Sequence, residues 1–299
     1  RAWSWSRGLG DVYKRQGFDV DQKLATMLDN VDVILTGHTH DAIPRAIKIK
    51  NTLLLSSGSH GKYLGRIDLK VDNGKVIDSS SNLIPIFSDI IQPDPEMNRL
   101  IDKIREPYEE ECNRVVGEAE TLLYRRGNFG GPWDSVICDA IIQKRDTQIS
   151  LSPGFRWGTT LLPGQKITID DIYSQTSMNY PEVYRTEMSG ETIKNLLEDV
   201  CDNIFNPDPF FQQGGDMVRV GGMSYTCHPK NKIGNRISDL SLLSSGEKIV
   251  ANKKYTVGGW GSINPDVKGP AIYNVLEDYI LDKQNISPMQ NNPVTIKGM

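Results

Sequence analysis

The chain has 299 residues, room for about two domains at roughly 150 residues each, and its 34 basic and 38 acidic residues leave a net charge of −4. With 24% charged residues, that balance argues against a disordered chain and against a broadly nucleic-acid-binding surface. Apolar runs such as Leu53-Leu54-Leu55 fall far short of the roughly 18 residues a membrane-spanning helix needs, and four scattered cysteines (Cys112, Cys138, Cys201, Cys227) make neither a disulfide scaffold nor a cysteine-based zinc site.

Residues 1–16 (RAWSWSRGLGDVYKRQ) carry no initiator methionine, apolar signal core or small-residue cleavage site, and they read as non-native sequence. The fold reading therefore starts at Gly17. Leu24, Met27 and Leu28 give 21–30 helical spacing, and the apolar run 31–35 reads as a buried strand, so the chain opens as an α/β layer. Two further strands are expected over 52–57 and 65–71, with Asp72-Asn73-Gly74 turning into 75–78. Three prolines break 85–95. From Glu96 onward Met97, Leu100, Ile101, Ile104 and Tyr108 mark a long exposed linking helix. A helix over 135–144, a strand over 148–151, a helix over 189–205 with Ile193, Leu196, Leu197, Val200 and Ile204 on one face, and a closing helix over 271–281 complete the pattern.

The sharpest chemical motif is Gly37-His38-Thr39-His40-Asp41, just after the 31–35 strand. In extended backbone, residues i and i+2 point the same way, so His38 and His40 aim two imidazoles at one place beyond a strand's carboxyl end, where α/β folds bind ligands. Neutral imidazole suits first-row divalent metals. Two ligands do not fill a site, and without more such a pair is equally two loop histidines beside a turn glycine.

Placed after a Val/Ile/Leu strand, Gly37 to Asp41 resembles the last metal-binding motif of the calcineurin-like metallophosphoesterases in the 5′-nucleotidase family. Ser152-Pro153-Gly154-Phe155-Arg156-Trp157-Gly158, then 176–185 (TSMNYPEVYR) and 206–223 (NPDPFFQQGGDMVRVGGM), look like the SoxB thiosulfohydrolase branch of that family, and the likeness runs from Gly17 to near the C-terminus. The resemblance implies a fold class of α/β and α+β, the C-terminal remnant of a metallophosphatase β-sandwich layer plus a 5′-nucleotidase C-terminal-type domain. Its divisions are non-native sequence over 1–16, a truncated metallophosphoesterase domain over 17–88, a linking helix over 89–113 and a substrate domain over 114–299. It further implies two manganese ions, with His38 and His40 among their ligands, and a periplasmic hydrolase. That hydrolase releases sulfate from a cysteine S-sulfonate on the swinging arm of the SoxYZ carrier. The family's Asp-x-His, bridging Asp, Asn-His-Asp/Glu and further His do not occur in 1–16, so this chain is expected to have an incomplete metal site and to be inactive alone.

A sulfonate, like a phosphoryl group, is ringed by anionic oxygens, and cationic donors must offset that charge. Arg156 is the expected donor: its planar fork binds two oxygens, and its position matches the substrate-binding arginine of the nucleotidase C-terminal domain. Apart from the family it reads as a surface salt bridge. By the same resemblance Asn179, Tyr180 and Tyr184 line the pocket, Arg185 orients the carrier arm, and Gly214, Gly215 and Asp216 form a substrate-lining loop. His60, in SGSHGKYLG, is the candidate for a group placed behind the metal ligands, with a plain loop histidine as the alternative. Phe210 and Phe211 are open between ring stacking and packing. Two other activities stay open, a 5′-nucleotidase or cyclic-nucleotide phosphodiesterase, and a metal-free module that binds a carrier or anion.

Overall fold

The computed structural model describes residues 18–37, 40–212, 215–262, 264, 266–289 and 293–298. The non-native reading of 1–16 lies outside them. The chain divides into two compact units, one made of 18–104 with Asn206–Gly215 and the other of Arg105–Phe205 with 216–298.

The first unit begins with α1 (Phe18–Met27), followed by β1 (Val33–Thr36), β2 (Ile47–Ile49) and β3 (Thr52–Ser56). β3 is the central strand, parallel to β1 and antiparallel to β2, and all five of its residues are buried. α1 turns Val20 and Ala25 into this layer. β1 departs from the expected buried strand, because Leu35 is 72% exposed. Lys23 of α1 pairs with Asp208 and sits 4.2 Å from the centre of the Phe210 ring, which is how the 206–215 segment joins this unit. Next, β4 (Tyr63–Asp72) and β5 (Lys75–Pro85) form a two-stranded ribbon, longer than expected, closed by Asn73-Gly74 with both φ angles positive, the backbone that matches strand twist.

The expected linking helix is interrupted. Asp94 accepts hydrogen bonds from the backbone N–H groups of Glu96 and Met97 and starts α2 (Pro95–Arg105), but Pro107 has no N–H to continue the ladder. A 3-10 turn (Glu106–Tyr108) and α3 (Glu109–Cys112) follow.

The second unit holds β6 (Val115–Ala119), α4 (Pro132–Arg145), β7 (Ile149–Ser152), β8 (Lys166–Thr168), α5 (Ile169–Thr176), β9 (Tyr184–Ser189) and α6 (Gly190–Phe205). After these come β10 (Arg219–Gly221), β11 (Met223–Cys227), β12 (Ile237–Leu242), β13 (Lys254–Gly259), α7 (Ile272–Lys283), β14 (Asn285–Ile286) and β15 (Val294–Ile296). The main sheet runs β10-β7-β13-β9, with β7 and β13 parallel. Ile149, Leu151, Tyr255 and Val257 join the apolar residues of α6 in one core, while α4 and α7 build the other with Trp133, Ile137, Ile141 and Leu276. α6 matches the expected helix because its apolar spacing is helical and Ser189 Oγ accepts from the N–H of Thr192, satisfying one of the free donors of the first turn. Between β10 and β11 a Cβ on Gly222 would lie 2.1 Å from the Gln148 carbonyl, so the Gly221-Gly222 pair serves close packing. Among the described residues no helix is long and apolar enough to cross a membrane.

Asp139 of α4 accepts a hydrogen bond from the backbone N–H of Met289 at 3.0 Å. Burial pushes its carboxyl up to about 6. The unfolded chain therefore releases this proton at lower pH than the folded one, and the folded state loses stability as pH rises from about 4 through 6. Asp139→Asn is expected to raise stability by about 2 kcal/mol at pH 7.5 and to be near neutral at pH 4, as read by urea denaturation; equal effects at both pH values would contradict it.

Candidate functional site

Arg156 stands in the turn that leaves β7 at its carboxyl end. The turn is drawn in because Gly154 has no side chain: a Cβ there would lie 2.5 Å from the Met217 carbonyl and 2.7 Å from that of Asp216. Arg156 Nε donates to both carboxylate oxygens of Asp216 at 2.8 and 2.9 Å, and Nη2 donates to Asn128 Oδ1 at 3.2 Å. The same Asp216 accepts from Arg219 Nη2 at 3.0 Å, and Arg219 Nε lies 3.4 Å from Asp134. Asp134 in turn accepts from Arg125 Nε at 2.6 Å and caps α4 by accepting from the Gly131 N–H at 2.9 Å.

Three guanidinium groups thus share two carboxylates, leaving one net positive charge. Four of the five side chains are at most 3% exposed, and Arg156 is 29% exposed. The surplus charge meets solvent at Arg156. Phe155 stacks on Trp157 with ring centres 3.8 Å apart and meets Trp260 edge-on at 6.1 Å, while Trp260 donates to Ser152 Oγ at 2.8 Å. The centre of the Phe155 ring also lies 5.3 Å from the Arg125 guanidinium, so these rings pack on the buried Arg125 side of the network. A cavity of about 230 Å³ opens at the other end of the network, where Arg219 and Asp134 meet Phe129 and Tyr124; Arg156 is not among its walls.

Asp216, expected in a substrate-lining loop, has a fully buried carboxylate paired with two arginines, an arrangement that positions Arg156. The salt bridge open for Arg156 does form, but to a buried partner. Arg125, Asn128, Asp134 and Arg219 went unread. The one local signal was a charged residue inside the apolar Met217-Val218-Arg219-Val220 run.

In the first unit, His40 and His60 come together with ring centres 6.1 Å apart, edge to face. Both have positive φ, 59° and 58°. Their loops are stitched by Asp41, whose carbonyl accepts from Ser56 Oγ at 2.6 Å and from the Gly58 N–H at 2.8 Å. His38 lies outside the described residues, as does Gly214. Two imidazoles fit one edge of a divalent-metal site, but among the described residues no three His, Cys, Asp or Glu side chains gather to complete one.

Residues 115–261 match the family model of the 5′-nucleotidase, C-terminal domain. They form a 5′-nucleotidase C-terminal domain. The chain is 26% identical over 257 residues to the trifunctional nucleotide phosphoesterase protein YfkN of Bacillus subtilis, covering 79% of this chain and 17% of YfkN. Among solved structures it superposes on the sulfate thiohydrolase SoxB of Thermus thermophilus with a TM-score of 0.89 and 30% identity, over 95% of this chain and 53% of SoxB. A 5′-nucleotidase precursor of the same organism shares the fold at a TM-score of 0.77 and 17% identity, over 95% of this chain and 62% of that one. The chain therefore spans little more than half the length of these structures.

Within the nucleotidase C-terminal domain, Asn179 and Tyr180 are exposed, and Tyr184 of β9 lies across from Gly259 of β13, where burial pushes its phenol above the usual range. Arg185 is the next residue on β9, and successive side chains of a strand face opposite ways. Its Nε donates to the carbonyls of Arg145 and Asp146 at the end of α4, which caps that helix. Gly215 of the first unit is exposed with φ 88°.

Asp216→Asn leaves Arg156 and Arg219 facing an uncharged partner, and the expected loss is at least about 3 kcal/mol in urea denaturation. Arg156→Ala removes the surplus charge and is expected to cost about 1 kcal/mol or less. The reverse order would contradict the assignment of Asp216 as the anchor.

Proposed function

We propose that this chain is part of a hydrolase that releases sulfate from a cysteine S-sulfonate held on the swinging arm of the SoxYZ carrier. The observation that carries the reaction class is Arg156, the solvent-facing corner of a network with one surplus positive charge. Asp216 fixes the fork before any substrate arrives. A donor already oriented needs little rearrangement as charge develops in the transition state, which is the condition for a large effect on rate. The choice of sulfate release leans on the 30% identity to SoxB over 95% of this chain.

In this reading Arg156 binds sulfonate oxygens and Asn179 and Tyr180 flank the anion. The metal edge in the first unit comprises His38 and His40, with His60 supporting His40. Two manganese ions, when bound with the remaining ligands, supply a Lewis acid and lower the pKa of a water. The work is assigned to the periplasm, where the carrier is met in solution. A 5′-nucleotidase or cyclic-nucleotide phosphodiesterase activity is the second reading, favoured by the family match and by the likeness to YfkN.

The test uses a chain completed to the length of the SoxB structure, loaded with manganese. Sulfate release from S-sulfonated SoxYZ is expected, together with a drop of at least about 10²-fold in Arg156→Ala, as for the loss of one oriented oxyanion donor. Phosphate release from AMP with no sulfate release would select the second reading. Carrier binding without turnover of either substrate would select the binding module.

A further inference from the structure

Two buried cysteines in the second unit take no part in the proposed chemistry. Cys201 lies on the apolar face of α6 and Cys227 ends β11; both are fully buried, and their sulfurs are 3.7 Å apart. They belong to the same apolar core as Ile193, Leu197 and Ile237. One turn before Cys201, Glu198 accepts hydrogen bonds from the backbone N–H groups of Gly234, Arg236 and Ile237 in the connection from β11 to β12 and at the start of β12. Arg236 also pairs with Asp202 at 2.5 Å. These bonds fix α6 against the start of β12, which pairs with β11 through Cys227 and Ile237. Cys138, by contrast, is buried on α4 beside Ser150, and Cys112 ends the short α3.

We propose that Cys201 and Cys227 close into a structural disulfide when the chain folds in the presence of a disulfide oxidant. The sulfurs must approach from 3.7 Å to the bonded separation of about 2.0 Å, and α6 and β11 are already held in place. The thiolate of one cysteine bonds to one sulfur of the oxidant's disulfide and expels the other as a thiolate. The thiolate of the second cysteine then attacks the first in that mixed disulfide and expels the second oxidant sulfur. Each cysteine gives up one proton, and the two electrons leave on the oxidant, which ends as two thiols. Burial of both sulfurs places these steps during folding, before the core closes.

The experiment refolds the full chain in a glutathione redox buffer, alkylates it in denaturant without reductant, and reads the intact mass and the peptide map. The expected result is two alkylated cysteines of the four in the chain, with a peptide pair joined through Cys201 and Cys227. Reduction is expected to lower the melting temperature by roughly 5–10 °C. Cys201→Ala and Cys227→Ala should each show three alkylated cysteines and no response to reductant, while Cys112→Ala keeps the link. The wild-type map decides the matter even where a variant fails to fold. Four alkylated cysteines, or a link through Cys112 or Cys138, would overturn the proposal.

Discussion

One buried carboxylate, Asp216, orders the face of the second unit on which the proposed chemistry stands. It receives Arg156 from the turn after β7 and Arg219 from the start of β10, so two segments far apart in sequence are fixed by the same two oxygens. A buried pair of charges gains little over an apolar core of the same shape, because removal from water offsets the attraction. The arrangement is therefore poorly explained as a source of stability. It is well explained as a means of holding the Arg156 guanidinium in one orientation, with the residual positive charge directed outward.

The sheet makes this arrangement reachable. β7 and β13 run parallel, so Ser152 and Gly259 finish on the same edge and Trp260 reaches back to Ser152 Oγ. Alternation along β7 sends Ile149 and Leu151 into the α6 core and leaves Ser152 free to take that bond. Packing thus determines where the Arg156 turn begins, Gly154 allows it to approach the Asp216 backbone, and the charge network determines where the side chain ends. Each step uses a different kind of force.

Local periodicity made α6 legible from Ile193 to Ile204, and the strand–turn–strand pattern around Asn73-Gly74 revealed the ribbon. Apolar composition misled where it was taken for burial: Leu35 sits in a Val/Ile/Leu run and still faces out. Pro107 was a readable stop inside an otherwise helical pattern, and the apolar spacing on either side outweighed it. The Arg156–Asp216 and Arg125–Asp134 pairs were beyond local reading. An ion pair formed across 60 residues leaves no spacing signal, and Asp134 looks like an ordinary helix-capping residue until its second oxygen is traced to Arg125. The family motifs located Arg156 without indicating what would hold it.

The same distinction applies to His40 and His60. Both sit in left-handed backbone, which costs a residue with a side chain roughly 1–2 kcal/mol and persists only where the surroundings over-determine it. Those surroundings are visible: the Asp41 carbonyl takes two hydrogen bonds from the strand-end segment 56–58, and Ala42 bridges Ser57, so the loops after β1 and after β3 are stitched at their bases. Left-handed backbone is shared by Lys50, Asn73, Asp146, Asp239 and Gln284 among the described residues, and histidine is one of the side chains that tolerate it, so the backbone by itself assigns the imidazoles no role. What the stitched bases do is fix where the two rings meet, 6.1 Å apart and edge to face.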